Sequence, residues 1–458
     1  NMKGETLFRN IARVLAANFW IALVGFLGTF IFPQILTIDD YAWYHTFTLY
    51  VGYIGILHLG FPSGMVVNYA GHDYNKIDKE QYKSEVIIIL LIHIVFTAIF
   101  VSLFFLMGNK MLLYVALAVI PSGIIGSYKF LLQSWSRFKY FSRMSTFLAS
   151  SVPIIALLYY FIAGSLPGEA YIILYIVIHW FVTILVLFDV GKKIIGVKAK
   201  RLISKENWET EKTGLALVAG NYINTLFISA DKQFVNYFFD KTAFAYYSFG
   251  MSMQNLMTIF IYSVSQPLFP AMAQGKFSDV QYNSMKKILL SFGAFSSCAY
   301  FAASFIVKMF IQKYIGSLEV IGIYFILFPA MAVIQCLYIN LYKINGMMKI
   351  YVKTLVLILL IAVALNLLFI KIMNSFLGVA IATAITYYIW LFIGVTQFGF
   401  LRFDWKDYLF LILYAFEYFA VKLLVNDVLK FVVSFVFIVT LILLLYKKEF
   451  KMLLKRRE

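Results

Sequence analysis

Long apolar runs separated by short polar connections make up almost the whole chain. Fourteen of them reach or approach the roughly 17–25 residues that cross a bilayer as a helix. They lie near 11–32, 44–68, 86–107, 111–133, 143–163, 170–190, 214–238, 243–269, 287–307, 318–342, 352–371, 376–399, 407–424 and 430–446. The last two are shorter, and Glu417 and Lys422 interrupt the thirteenth. The pattern predicts an all-α polytopic membrane protein of about 14 transmembrane helices. Composition agrees: 62% of the 458 residues are hydrophobic and only 13% charged, about half the charged share of a soluble domain. No polar stretch is long enough to build a separate soluble domain.

The formal charge of +17 invites a nucleic-acid partner, but the basic residues are spread over short connections and form no basic domain. With the N-terminus inside, 31 of the 39 Lys and Arg residues fall on the inner side and 7 on the outer. The remaining one, Lys232, lies within a run. That asymmetry follows the positive-inside rule and predicts an even number of spans with both termini cytoplasmic. No nucleic-acid partner is expected. Lys3, Arg9 and Arg13 precede the first run with no small-residue cleavage site after it, so it reads as an uncleaved span. Cys298 and Cys336 sit in apolar runs and read as packing residues, not as a disulfide or a metal site.

The longest basic connection, "GKKIIGVKAKRLISKENWETEK" at 191–212, divides the chain. The expected organisation is an N-lobe of helices 1–6 (1–190), a basic cytoplasmic linker (191–213), a C-lobe of helices 7–12 (214–399), and helices 13–14 with a basic cytoplasmic tail (400–458). The linker and the tail "KKEFKMLLKRRE" either grip anionic membrane lipids or simply obey the inside rule. "TIDDYAWYHTF" (37–47) and "FFDKTAFAYYSF" (238–249) align with a shift of 201, pairing Asp39 with Asp240, Ala42 with Ala243 and Trp43 with Phe244. Each opens an inward run that ends in proline. Six spans per half give the halves a shared orientation, hence two six-helix lobes related by a pseudo-two-fold along the membrane normal, plus a C-terminal helix pair.

Two stretches carry a family likeness. "ADKQFVNYFFDKTAFAYYSF" (230–249) offers an acid–base pair, a short outer loop and a Tyr-Ser. The segment 343–388 offers a Gly346-x-x-Lys349 turn, Asn366, and a Gly378-x-Ala380-x-Ala382-Thr383 opening. Together with the helix count, these resemble the polysaccharide-transporter family of the multidrug/oligosaccharidyl-lipid/polysaccharide exporter superfamily, which includes the Wzx-type flippases of O-antigen and capsule repeat units. The family often places Gly before the Tyr-Ser, where this chain has Ala245 and Tyr246. The resemblance implies a bacterial cytoplasmic-membrane flippase that moves an undecaprenyl-pyrophosphate-linked oligosaccharide to the outer leaflet. It implies alternating access around a cationic central cavity, with a polysaccharide polymerase as a conceivable partner.

The polar residues inside the runs give candidate chemistry. Asn221, Thr225, Ser229, Lys232 and Asn236 follow one another at three or four residues and form one helical stripe. Asp231 lies about 100° round that helix, so it needs a partner on a neighbouring helix or serves a coupling ion, Na+ or H+. A charge at membrane depth usually marks a pathway or a binding site; an interhelical ion pair or a snorkelling lysine is the plainer alternative. Arg13, with Asn18 five residues on, is placed to meet a pyrophosphate, as guanidinium matches phosphate oxygens. Lys129 is a second phosphate candidate. Both also fit as ordinary inside-rule anchors. Gln254, Asn255, Ser265 and Gln266 suit sugar hydroxyls or interhelical hydrogen bonds. His45, His58, His93 and His179 read as packing residues before proton relays. No phosphate-binding glycine loop, metal-binding helix or nucleotide domain is present. The chain therefore reads as a non-enzyme without cofactors. An ion-coupled multidrug or cation antiporter would favour an acidic cavity. A teichoic-acid or lipid II flippase is a close relative of the leading reading, and a glycosyltransferase or polymerase would need a large outer loop that is missing.

Overall fold

The computed structural model describes residues 2–69, 77–135, 137–273 and 277–454, with side chains described within 16–450 except at 216, 266–267, 270–271 and 273. It divides into two compact units, Asn1–Thr225 and Leu226–Glu458. The first holds α1 (Met2–Ile35), α2 (Ile38–Gly52), α3 (Ile54–Leu57), α4 (Phe61–Tyr69), α5 (Lys79–Met107), α6 (Lys110–Ser134), α7 (Phe138–Ala163), α8 (Gly168–Ile194) and most of α9 (Lys205–Phe238). The second continues with α10 (Lys241–Ala273), α11 (Asp279–Ala294), α12 (Ser296–Phe310), α13 (Leu318–Ile326), α14 (Phe328–Val333), α15 (Ile339–Ile344), α16 (Met348–Met373), α17 (Phe376–Gln397), α18 (Trp405–Lys422), α19 (Asp427–Leu445) and α20 (Lys447–Leu454). No strand occurs among the described residues. Nine helices there are long and apolar enough to cross a membrane, or eleven if two bent pairs each count as one span. This is a multi-pass all-α membrane protein. The other three expected runs, 214–238, 243–269 and 407–424, lie in α9, α10 and α18.

Capping residues set where the helices begin and end. Asp78 opens α5 by accepting from the Glu80 and Gln81 amides, and Ser278 with Gln281 forms a reciprocal box at α11. Both satisfy amides that the first turn leaves unpaired. Gly108 and Gly164 close α5 and α7 at φ +65° and +74°, a left-handed conformation that glycine adopts without penalty. The cap of α2 is Thr37, which accepts from the Asp40 amide. Asp240, which accepts from the Ala243 amide at 2.7 Å, therefore matches Thr37 in role. Asp39, its partner in the sequence alignment, lies inside the first turn of α2.

Prolines break or bend spans that read as continuous. In α6, Pro121 removes the amide that would bond the Leu117 carbonyl, and the Trp180 indole N–H on α8 donates there instead, at 2.9 Å. The run 318–342 is bent by 46° between α13 and α14. Pro329 frees the Phe325 carbonyl, which accepts from Ser296 Oγ (2.8 Å) and Tyr414 OH (3.0 Å). A π-turn over Ile334–Tyr338 follows; Ser265 Oγ donates to the Gln335 carbonyl and Asn340 Nδ2 to that of Cys336. Freed carbonyls inside an apolar protein need such donors because water is not there to supply them.

The run 44–68 is bent by 54° where α4 leaves α2–α3. Leu59 and Gly60 take positive φ at the break, and α4 then lies directly on α9. A Cβ on Gly214 would meet the Gly60 carbonyl and the Gly64 amide, while one on Gly64 would meet the Thr210 carbonyl. Those neighbours are backbone and cannot swing aside. Gly214→Ala is expected to cost about 1–3 kcal/mol of stability. A thiol-reactive dye reads the loss, since Cys298 and Cys336 are both buried until the protein unfolds.

Just outside α5, Lys200 Nζ lies 2.8 Å from Asp78. That ammonium, aided by the two capped amides, holds the Asp78 carboxyl below its ordinary value of 3.8. The stabilisation is complete above that value and is lost as pH falls through the lower folded one. Asp78→Asn should flatten this acid limb of the melting-temperature profile, and an unchanged limb would assign it to other carboxylates.

Candidate functional site

Within the second unit, helical spacing places Phe227, Asp231 and Val235 on one buried stripe of α9, at 4%, 4% and 0% exposure. The carboxylate thus sits in the packed face of the helix, while Lys232, one residue on, is half-buried. Three neighbouring helices meet the Asp231 carboxylate. Thr383 Oγ1 on α17 donates to Oδ2 at 2.6 Å. Asn366 Nδ2 on α16 donates to Oδ1 at 3.3 Å. Tyr324 OH on α13 donates to Oδ2 at 3.2 Å. Tyr324 and Tyr247 of α10 are joined hydroxyl to hydroxyl at 2.6 Å. Tyr324 is the donor to Tyr247 as well as to Asp231, so its one proton is shared between the two acceptors. Five helices are tied through one carboxylate.

The other face of this carboxylate opens on a cavity of about 270 Å³. Asp231 and Thr383 share its wall with Gln254, Asn255, Thr258 and Gln335, beside Phe227, Met251 and Tyr387. Two amide oxygens, Oε1 of Gln254 on this wall and Oδ1 of Asn366, whose Nδ2 donates to Asp231, are buried and have no hydrogen-bond partner. A buried acceptor left unpaired costs about 1–3 kcal/mol. The carboxylate, the Thr383 hydroxyl and the Gln254 amide on this one wall are oxygen donors of the kind that a hard cation or a proton takes.

Of the expected site residues, Asp231, Gln254 and Asn255 line this one cavity, and Lys232 is not among its lining residues. Asn221 and Thr225 belong to the first unit, where Thr225 Oγ1 donates to the Asn221 carbonyl within α9. Asn18 is exposed on α1. Lys129 on α6 is half-buried, with Nζ 5.6 Å from the centre of the Phe141 ring. The Arg13 and Gln266 side chains lie outside the described residues. His93 and His179 hydrogen-bond the carbonyls of Ile89 and Tyr175 one turn back, at 2.7 and 2.8 Å, as packing residues do. Sequence reasoning singled out Asn366 and Thr383 as motif members but not as partners of Asp231. Their spacing from it, 135 and 152 residues, leaves no local signal. Tyr247 belongs to the Tyr-Ser of the stretch 230–249, and Tyr324 is hidden among 32 tyrosines.

No family model matches the chain, and no curated protein matches it.

Proposed function

We propose that the protein is an ion-coupled flippase for an undecaprenyl-pyrophosphate-linked oligosaccharide, of the polysaccharide-transporter family. It would have fourteen spans in two six-helix lobes with a C-terminal pair, and both termini on the cytoplasmic side of a bacterial inner membrane. The observation that carries the coupling is the Asp231 carboxylate at the wall of a cavity that Gln254, with its unpaired amide oxygen, also lines. A cation or proton taken up there neutralises the carboxylate and re-orients the Tyr324, Thr383 and Asn366 donors. Binding on α9 is thereby linked to α10, α13, α16 and α17. Neutral amides and hydroxyls at Gln254, Asn255, Thr258 and Gln335 suit sugar hydroxyl groups. Lys232, Arg13 and Lys129 supply the positive charge that an anionic pyrophosphate requires once it leaves water.

A second reading has its own support. The cavity wall carries an acid, while Lys232 does not line it, which is the polarity a cation antiporter needs. Lys232→Ala separates the two. The flippase reading predicts that purified Lys232→Ala, reconstituted in liposomes and melting like the parent, loses flipping of a fluorescent lipid-linked oligosaccharide. Wild-type flipping by that variant would remove Lys232 from the substrate path.

A further inference from the structure

A second cavity, of about 400 Å³ and wholly within the first unit, lies among α4, α5 and the start of α9. In a chain of net charge +17, four carboxylates line it: Asp78, Glu85, Glu206 and Glu209. Its floor is built of acceptors. Glu85 is fully buried and takes the Tyr69 hydroxyl at 2.6 Å and Gln81 Nε2 at 3.1 Å. Gln81 is 5% exposed, and its amide nitrogen also donates to Asn207 Oδ1 at 2.8 Å. Its Oε1 is left buried without a partner. Donors on the floor are thus already engaged, and the residues that line it keep a carboxylate and an orphan amide oxygen.

We propose that this cavity binds an organic polycation of the polyamine class. The rim already shows the chemistry it accepts, since Lys200 Nζ lies 2.8 Å from Asp78 and 3.4 Å from Glu206. A compact metal ion fits less well: among the described residues no three Asp, Glu, His or Cys side chains converge as a metal centre. The carboxylates are instead distributed from floor to rim, as several ammonium groups on a flexible chain require. Each ammonium brings N–H donors that the Gln81 oxygen and the Glu85 carboxylate can accept. Lys200 competes for the same acids, so removing it should favour the ligand. The site stands independently of the transport reading, because its readout is binding alone.

Equilibrium dialysis of labelled spermidine against the purified full chain in detergent tests it, with variants checked for unchanged melting. Saturable binding is expected, weakened roughly tenfold or more in Glu206→Gln/Glu209→Gln and strengthened several-fold in Lys200→Ala. Glu206 and Glu209 are exposed and Lys200 is half-buried, and the opposite signs of the two changes separate a site from general attraction to the protein. Absence of saturable binding, binding indifferent to Glu206→Gln/Glu209→Gln, or displacement of spermidine by equimolar Mg2+ at constant ionic strength would overturn the proposal.

Discussion

Asp231→Asn is expected to cut gradient-driven transport by about a hundredfold, equivalent to about 2.7 kcal/mol, in a protein that still folds. Asparagine keeps the shape of the side chain and one carbonyl oxygen, so Thr383 and Tyr324 retain an acceptor. What disappears is the negative charge that a cation or proton would neutralise. Asp231→Ala should behave differently. It removes the common acceptor of Thr383, Asn366 and Tyr324 in a site that is 4% exposed; Thr383 keeps the Val379 carbonyl and Tyr324 the Tyr247 hydroxyl, while the Asn366 amide loses its partner, at about 1–3 kcal/mol. The pair therefore separates coupling from folding: the first variant loses transport, and the second also loses melting temperature. Wild-type gradient dependence in Asp231→Asn would show that this carboxylate only holds helices together.

Lys286→Met should be among the most destabilising single changes in the second unit, at about 3–5 kcal/mol. Lys286 and Asp407 are both fully buried, with Nζ 2.5 Å from Oδ2. The Tyr446 hydroxyl and the Asp404 amide also donate to Asp407, at 2.9 and 3.1 Å. Lys286 additionally contacts the Arg402 carbonyl and lies 4.2 Å from the Phe403 ring centre. Removing the ammonium leaves a carboxylate buried without its counter-charge, whereas Lys286→Met/Asp407→Leu removes both charges together. The double variant should recover most of the loss. Thiol-dye unfolding measures both, and a single variant melting like the parent would show that water reaches the pair.

The helices were legible because length and apolarity decide them. The fourteen expected runs coincide with the nine spanning helices, the two bent pairs, and α9, α10 and α18. Their breaks were less so. The bend before α4 falls at Leu59 and Gly60, both at positive φ, close to the proline that ends the second run. Pro329 sits in a run apolar enough to read as one span, and only the donors from Ser296 and Tyr414 show how the chain tolerates it. Asp231 was visible because a charge inside an apolar run stands out, but its partners come from three other helices. Lys286 was counted simply as an inner anchor; burial against Asp407, 121 residues away, is a tertiary fact without a local pattern. Glu417 looked like an interruption of the thirteenth run. It is instead 2% exposed inside α18 and takes a hydrogen bond from Ser434 of α19 at 2.5 Å, so packing between two helices accommodates it.

The most direct test of the account is transport by purified protein in proteoliposomes, offered a fluorescent undecaprenyl-pyrophosphate oligosaccharide or a lipophilic cation. Each is followed under a sodium gradient, a proton gradient and none. Protein-dependent movement of the lipid-linked sugar is expected, accelerated by one of the two gradients and by neither in Asp231→Asn. Movement of the lipophilic cation alone would contradict it, and would make Asp231 the cargo site of an antiporter.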